Sequence, residues 1–189
     1  MLPTTPLRCT ISSIMNYTTT IMAMAMLAAG TLLNVGVAYA AEFNTARDGD
    51  FTFEWHVDGD ELEARISAPT TGYVSVGFEP RRMMQDAEIV IGYVANGELQ
   101  IRHDYGVSPT SHRAIEDLGG ESRVTGLDGT EEDGATTLHF RLPLSSGGRF
   151  DRPLTPGSET TIIWAYGPDG ANNFGDYHSR ARGTLTVEL

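Results

Sequence analysis

From residue 51 onward, apolar and polar residues alternate with a period of two, and no helical period is sustained. Phe51, Phe53, Trp55 and Val57 share one parity; Thr52, Glu54, His56 and Asp58 take the other. After the turn Asp58-Gly59-Asp60, Leu62, Ala64, Ile66 and Ala68 alternate against Glu61, Glu63, Arg65 and Ser67. The two runs predict a hairpin with one wet face. A third strand is predicted over Gly72–Phe78. The stretch Glu88–Ala95 is apolar at both parities, as in a central strand. Asn96-Gly97 signals a tight turn into a partner strand over Glu98–His103.

The alternation stops from Asp104 to Gly120, where Ser108, Pro109, Thr110 and Ser111 predict a long loop with a helical turn near Ala114–Leu118. Strands are expected again near Ser122–Gly126, Thr136–Leu142, Thr160–Gly167 and Gly183–Leu189. The whole is an all-β pattern of roughly nine short strands with turn signals between them, that of an antiparallel β-sandwich.

The first 40 residues are of a different kind. They hold no acid, one Arg (Arg8), the only Cys (Cys9) and five of the seven Met. The apolar run Ile21–Ala38 ends in Ala38-Tyr39-Ala40, a small-x-small cleavage pattern. A signal peptide over 1–40 and a secreted or periplasmic domain over 41–189 are expected, with no membrane span after cleavage. That domain would carry 12 Arg, no Lys and all 25 acids, a formal charge of −13. So acidic a balance argues against nucleic-acid binding. Without Cys, the domain has no disulfide, thiolate metal site or covalent c-type haem attachment. No nucleophile–base pair or paired carboxylate emerges, so no catalytic residue is assigned and a non-enzyme is expected.

Among the five His, His56 and His139 fall at the polar parity of their strands and are expected to be exposed. His103, Asp104 and His112 offer hard-metal donors in the predicted loop. Two other features carry more weight. The only Met after residue 40 are the adjacent Met83 and Met84, in a polar segment before the central strand, where a core-filling Met is out of place. His178 lies in a late loop. A thioether and an imidazole from opposite ends of a sandwich form an established haem-iron pair that supports electron transfer.

The order of segments resembles the DOMON domain. The residues that carry the resemblance are Thr71–Phe78, Met84–Gly92, Asp104-Tyr105, Phe140–Leu144 and Ile163–Gly167, then His178 and Arg182-Gly183. The family is one of Ig-like β-sandwiches, here of roughly nine to eleven strands, that bind haem b or sugars. In its haem-binding branch, which includes the cytochrome domain of cellobiose dehydrogenase, a Met before the central strand and a His near the C-terminus are the ligands. The resemblance carries these roles onto Met84 and His178, with Met83 a second thioether beside the first. Asp86 and Glu88 depart from the family's Gly and Asp. The resemblance thus implies a b-type electron-transfer domain with non-covalent haem b. Its partner would be a redox protein such as a membrane cytochrome or oxidoreductase. Tyr73, Phe78 and Trp164 are candidates for the pocket wall, and Arg81, Arg82 and Arg180 for pairing with a propionate. The alternative is a haem-free module that binds carbohydrate or another small ligand, but Trp55 and Trp164 lie at buried parity and leave no evident stacking platform.

Overall fold

The computed structural model describes residues 42–178 and 181–189, all within the unit Tyr39–Leu189. The predicted signal peptide and Arg180 lie outside the described residues. Eleven strands form two antiparallel sheets, consistent with a β-sandwich. One sheet has the order β1(Asn44–Asp48), β2(Phe51–Asp58), β3(Glu61–Ala68), β9(Ala135–Pro143), β8(Thr125–Glu132). The other has the order β11(Ala181–Glu188), β10(Glu159–Tyr166), β4(Val74–Phe78), β5(Glu88–Ala95), β6(Glu98–Ser108), β7(Ser111–Ala114).

The period-two pattern explains the core. Phe51, Phe53 and Trp55 of β2 meet Leu62, Ala64 and Ile66 of β3 and Leu138, Phe140 and Leu142 of β9 in one sheet. Val74, Val76 and Phe78 of β4, Val90 of β5 and Ile162 and Trp164 of β10 face them from the other. Phe53 sets its ring against Trp55 at 5.0 Å and Phe78 at 6.2 Å, joining the layers. Each such side chain contributes roughly 1.5–3 kcal/mol by leaving water.

Two expectations are corrected between residues 104 and 132. The predicted loop is a hairpin: β6 runs on to Ser108, and β7 returns after the Pro109-Thr110 turn, pairing Asp104 with Ala114 and Gly106 with His112. Pro at the second position of a tight turn fits this geometry as well as it fits a loop. The helical turn is present as a 3-10 turn, Glu116–Leu118. The strand expected at Ser122–Gly126 is β8, displaced to Thr125–Glu132; it is mostly exposed and so lacks the apolar parity that would have marked it. Strand β1 was not anticipated for the same reason.

The six-stranded sheet has a second apolar face. The opposite parity of β5 gives Ile89 and Ile91, which pack with Tyr73, Ala87 and Ala171 away from the inter-sheet core. A strand with both faces covered reads as a continuous apolar run, which is why Glu88–Ala95 looked central, and it does lie between β4 and β6.

Candidate functional site

The outer face of the six-stranded sheet carries a cavity of about 600 Å³. Its floor is Tyr73, Ser75 and Gly77, with Ile89 and Ile91 of β5 and Ile163 of β10. Glycine at 77 keeps this floor low: a Cβ there would press on the side chains of Ile163 and Ile89. Three connections wall the space. One is the segment before β5 with Met83 and Met84, the second the β6–β7 turn with Pro109 and His112, and the third the segment ending in Tyr177 and His178. Arg182 of β11 closes the rim.

The methionine segment is fixed by backbone bonds. The Ala87 N–H donates to Met84 O at 3.0 Å, Asp86 N–H to Gly106 O at 2.8 Å and Gly106 N–H to Ala87 O at 2.9 Å. Adjacent residues in extended chain point to opposite sides, which would turn Met83 away from a site that Met84 faces. That holds only while the chain stays extended. Met83 has φ +52°, the chain turns there, and both Met border the cavity. Met83 is 53% exposed, whereas Met84 packs on the outer-face apolar cluster.

The His178 segment is anchored from below. The Tyr73 hydroxyl donates to the Asp176 carbonyl at 3.0 Å, and burial, helped by the nearby Asp176 charge, pushes its pKa up to about 12. Phe174 sits between the Tyr93 ring at 5.0 Å and the Arg102 guanidinium at 4.5 Å. His178 stacks on Tyr177 at 4.8 Å, and its Nε2 accepts from the Arg182 guanidinium at 3.0 Å. Burial first, then the charges of Arg182 and His112, hold the imidazole below its usual 6.5. A ring kept unprotonated near neutral pH is in the state a metal ligand requires.

Of the residues expected at the site, Met83, Met84, Tyr73 and His178 therefore converge on one cavity. Phe78 does not: its side chain is wholly buried on the core face. Trp164 borders the cavity, but its ring stacks on Phe51 at 4.8 Å in the core and its Nε1–H donates to Asp48 at 3.0 Å. Both have the inward parity of their strands; Phe78 is corrected as a pocket wall, whereas Trp164 borders the cavity while its ring packs in the core. Arg81 is paired with Asp86 at 2.7 Å and Arg82 is exposed; neither borders the cavity. The arginine that does is Arg182, which was counted in the family resemblance but given no role at the site.

The hard-donor set is also divided. His103 faces the core, and its Nε2 meets buried Glu88 at 3.0 Å. Its Nδ1 accepts from the Arg123 N–H at 3.1 Å, so Nε2 is the donor to Glu88. Asp104, the next residue, faces the other way and binds His112. No group of three or more His, Cys, Asp or Glu suited to a metal occurs among the described residues. His139 and His56 are half-buried rather than exposed, with Phe43 beside both rings at 6.3 and 5.7 Å.

The family model described as the DOMON domain matches residues 47–167. DBH-like monooxygenase protein 1 of Mus musculus is 32% identical over 144 residues, covering 75% of this chain and 22% of the mouse protein. Its Homo sapiens counterpart is 30% identical over 146 residues, again covering 75% and 22%. The chain thus spans about a fifth of the length of these relatives. Among solved structures, the cytochrome domain of Myriococcum thermophilum cellobiose dehydrogenase superposes with a TM-score of 0.62 at 16% identity, covering 78% of this chain and 82% of that one. The cytochrome b domain of Coprinopsis cinerea pyranose dehydrogenase gives 0.57 at 14%, covering 76% and 81%. At such identities the likeness is one of fold.

Proposed function

Because the chain belongs to the DOMON family, we propose that its outer-face cavity holds one non-covalent haem b and that the domain carries electrons outside the cytoplasm. One observation carries this reading: the fold brings the only two Met after residue 40 and His178 to the rim of one cavity with an apolar floor. At about 600 Å³ the space is in the range of small-molecule and cofactor sites. Its donors, thioether and imidazole, suit haem iron, so the residues present fit the group. Met84 and His178 are the proposed ligands. Haem would supply a one-electron couple, and a Met/His pair raises its potential.

The chain's own residues do the rest. The apolar floor excludes water. Tyr73 and Phe174 hold the His178 segment in place. Arg182, which caps Nε2 of His178, must turn aside for that nitrogen to bind iron, and its guanidinium is then available to a propionate. Catalysis is not assigned to this domain; the relatives named as monooxygenases are far longer. The acidic surface would steer a basic redox partner with an on-rate that falls with salt. Among the described residues no helix is long and apolar enough to cross a membrane. A periplasmic or secreted location, with the signal peptide removed near Ala40, remains part of the proposal.

The test is the absorption spectrum of the protein purified from the periplasm with haem supplied. A red protein with a Soret band and a low-spin, six-coordinate spectrum is expected. A colourless protein that takes up no added haem would overturn the reading and leave the carbohydrate or small-ligand module.

A further inference from the structure

We propose that His112 is a second imidazole ligand of this cavity, able to take the sixth iron position when no Met thioether occupies it; this rests on the haem reading above. His112 lines the same cavity as His178, Met83 and Met84. Its Nδ1 lies 2.5 Å from Oδ2 of Asp104, a carboxylate with no exposed surface. Arg102 grips the same carboxylate through two bonds of 2.6 Å. A carboxylate gripped on both oxygens by one guanidinium is ionised. An ionised carboxylate only accepts, so Nδ1 is the protonated nitrogen. In the neutral ring the lone pair is then on Nε2, which has no hydrogen-bond partner among the described residues. Metal-binding imidazoles are held in this way: a carboxylate on the far nitrogen fixes the tautomer, orients the ring and strengthens it as a donor.

Two other His–carboxylate pairs sharpen the contrast. His103 has both nitrogens engaged within the core. His139 meets Glu63 on the other sheet, away from this cavity. Only in His112 does a carboxylate-held imidazole border the space that also holds His178. The bracing extends to a second wall: Arg102 also donates to the Phe174 carbonyl at 3.4 Å, in the segment that leads to His178. One guanidinium thus steadies both imidazole-bearing walls. Strands β6 and β7 give His112 a firmer base than the turn that carries the thioethers.

The experiment removes both thioethers with Met83→Ala/Met84→Ala and then adds His112→Ala, each protein being loaded with haemin. Ferric absorption and electron paramagnetic resonance read the spin state. The double variant is expected to stay low-spin and six-coordinate, with any thioether charge-transfer band lost and a potential below that of wild type. The triple variant is expected to turn high-spin or release the haem, and added imidazole should restore the low-spin spectrum where haem remains. A high-spin double variant overturns the inference, as does a triple variant that stays low-spin. A wild-type protein that takes up no haem fells the haem reading itself, and this inference with it. Haem uptake by wild type beside a high-spin double variant fells this inference alone.

Discussion

The backbone of Met84 lies directly against Gly106, so closely that a Cβ at 106 would overlap the Met84 carbonyl. This close approach joins the thioether segment to the β6–β7 hairpin, and the mutual bonds between Ala87, Asp86 and Gly106 lock the join. Gly106→Ala must therefore push the methionine segment off the sheet. Overpacking of this kind costs about 1–3 kcal/mol. The expected outcome is a lower melting temperature together with weaker haem uptake, measured by thermal unfolding and haem titration. An alanine variant with wild-type haem affinity would show that the join does not position the site.

The two proposed ligands differ in what their loss should do. Nothing covalent holds a haem in this domain, which has no Cys. Removing His178 takes away the imidazole whose segment Tyr73 anchors. His178→Ala should lose most haem retention on gel filtration, while far-ultraviolet circular dichroism stays that of wild type. Met84→Ala should keep the haem, because two imidazoles remain at the cavity, but lower the redox potential. Retention of haem by His178→Ala at wild-type level would remove His178 from the ligand set.

Much of this arrangement was legible before the structure, and the reason is periodicity. The alternations of β2, β3 and β9 place Phe53, Ile66 and Phe140 in the core because a half-buried strand leaves only one parity for apolar residues. The Met pair stood out by composition and His178 by its place in a late loop, the resemblance adding their roles, and both border the cavity. What stayed hidden was whatever depends on contacts across the chain. His112 was offered only as a hard-metal donor beside His103 and Asp104; that Asp104 braces it, across a hairpin that Pro109 disguised as a loop, needed the fold. Arg182 was counted among the residues that carry the resemblance but given no role, and only the fold brings it to His178. Phe78 was misassigned because an aromatic in a strand facing two apolar layers gives no sign of which layer it enters.

Tyr73 offers a test at alkaline pH. Its folded pKa of about 12 lies above the ordinary 10. A raised folded pKa means stability that is fully present below pH 10 and is lost as the pH rises toward 12. Tyr73→Phe removes the hydroxyl that holds the Asp176 carbonyl, at a cost of about 1 kcal/mol at neutral pH. Urea midpoints for the two proteins should differ at pH 8 and converge above pH 11. Equal midpoints at pH 8 would mean that the hydroxyl adds nothing to the anchoring of the His178 segment.

Asp104 provides the complementary test in acid. Its carboxyl is wholly buried between Arg102 and His112, and those two partners hold it below 3.8 against the effect of burial. A depressed folded pKa gives stability that is complete above the unfolded value and is lost as the pH falls through the folded one. Asp104→Asn keeps the size of the side chain but removes the charge, leaving Arg102 without its counter-ion. Because Arg102 is partly exposed, solvent offsets some of the loss, and a cost of about 1–3 kcal/mol is expected at neutral pH. Glu63, paired with Arg141 and His139, and Asp151 also have lowered values, so wild type alone would show a steep acid limb of mixed origin. The difference between wild type and Asp104→Asn reads this carboxylate together with its pairing to His112 and Arg102. As the pH falls from about 5 through the folded value, which lies below 3.8, it should shrink toward zero, because a protonated Asp104 and an asparagine carry the same charge. Urea unfolding across that range measures it, and a difference independent of pH would show that the charge of Asp104 is not what holds Arg102 and His112 in place.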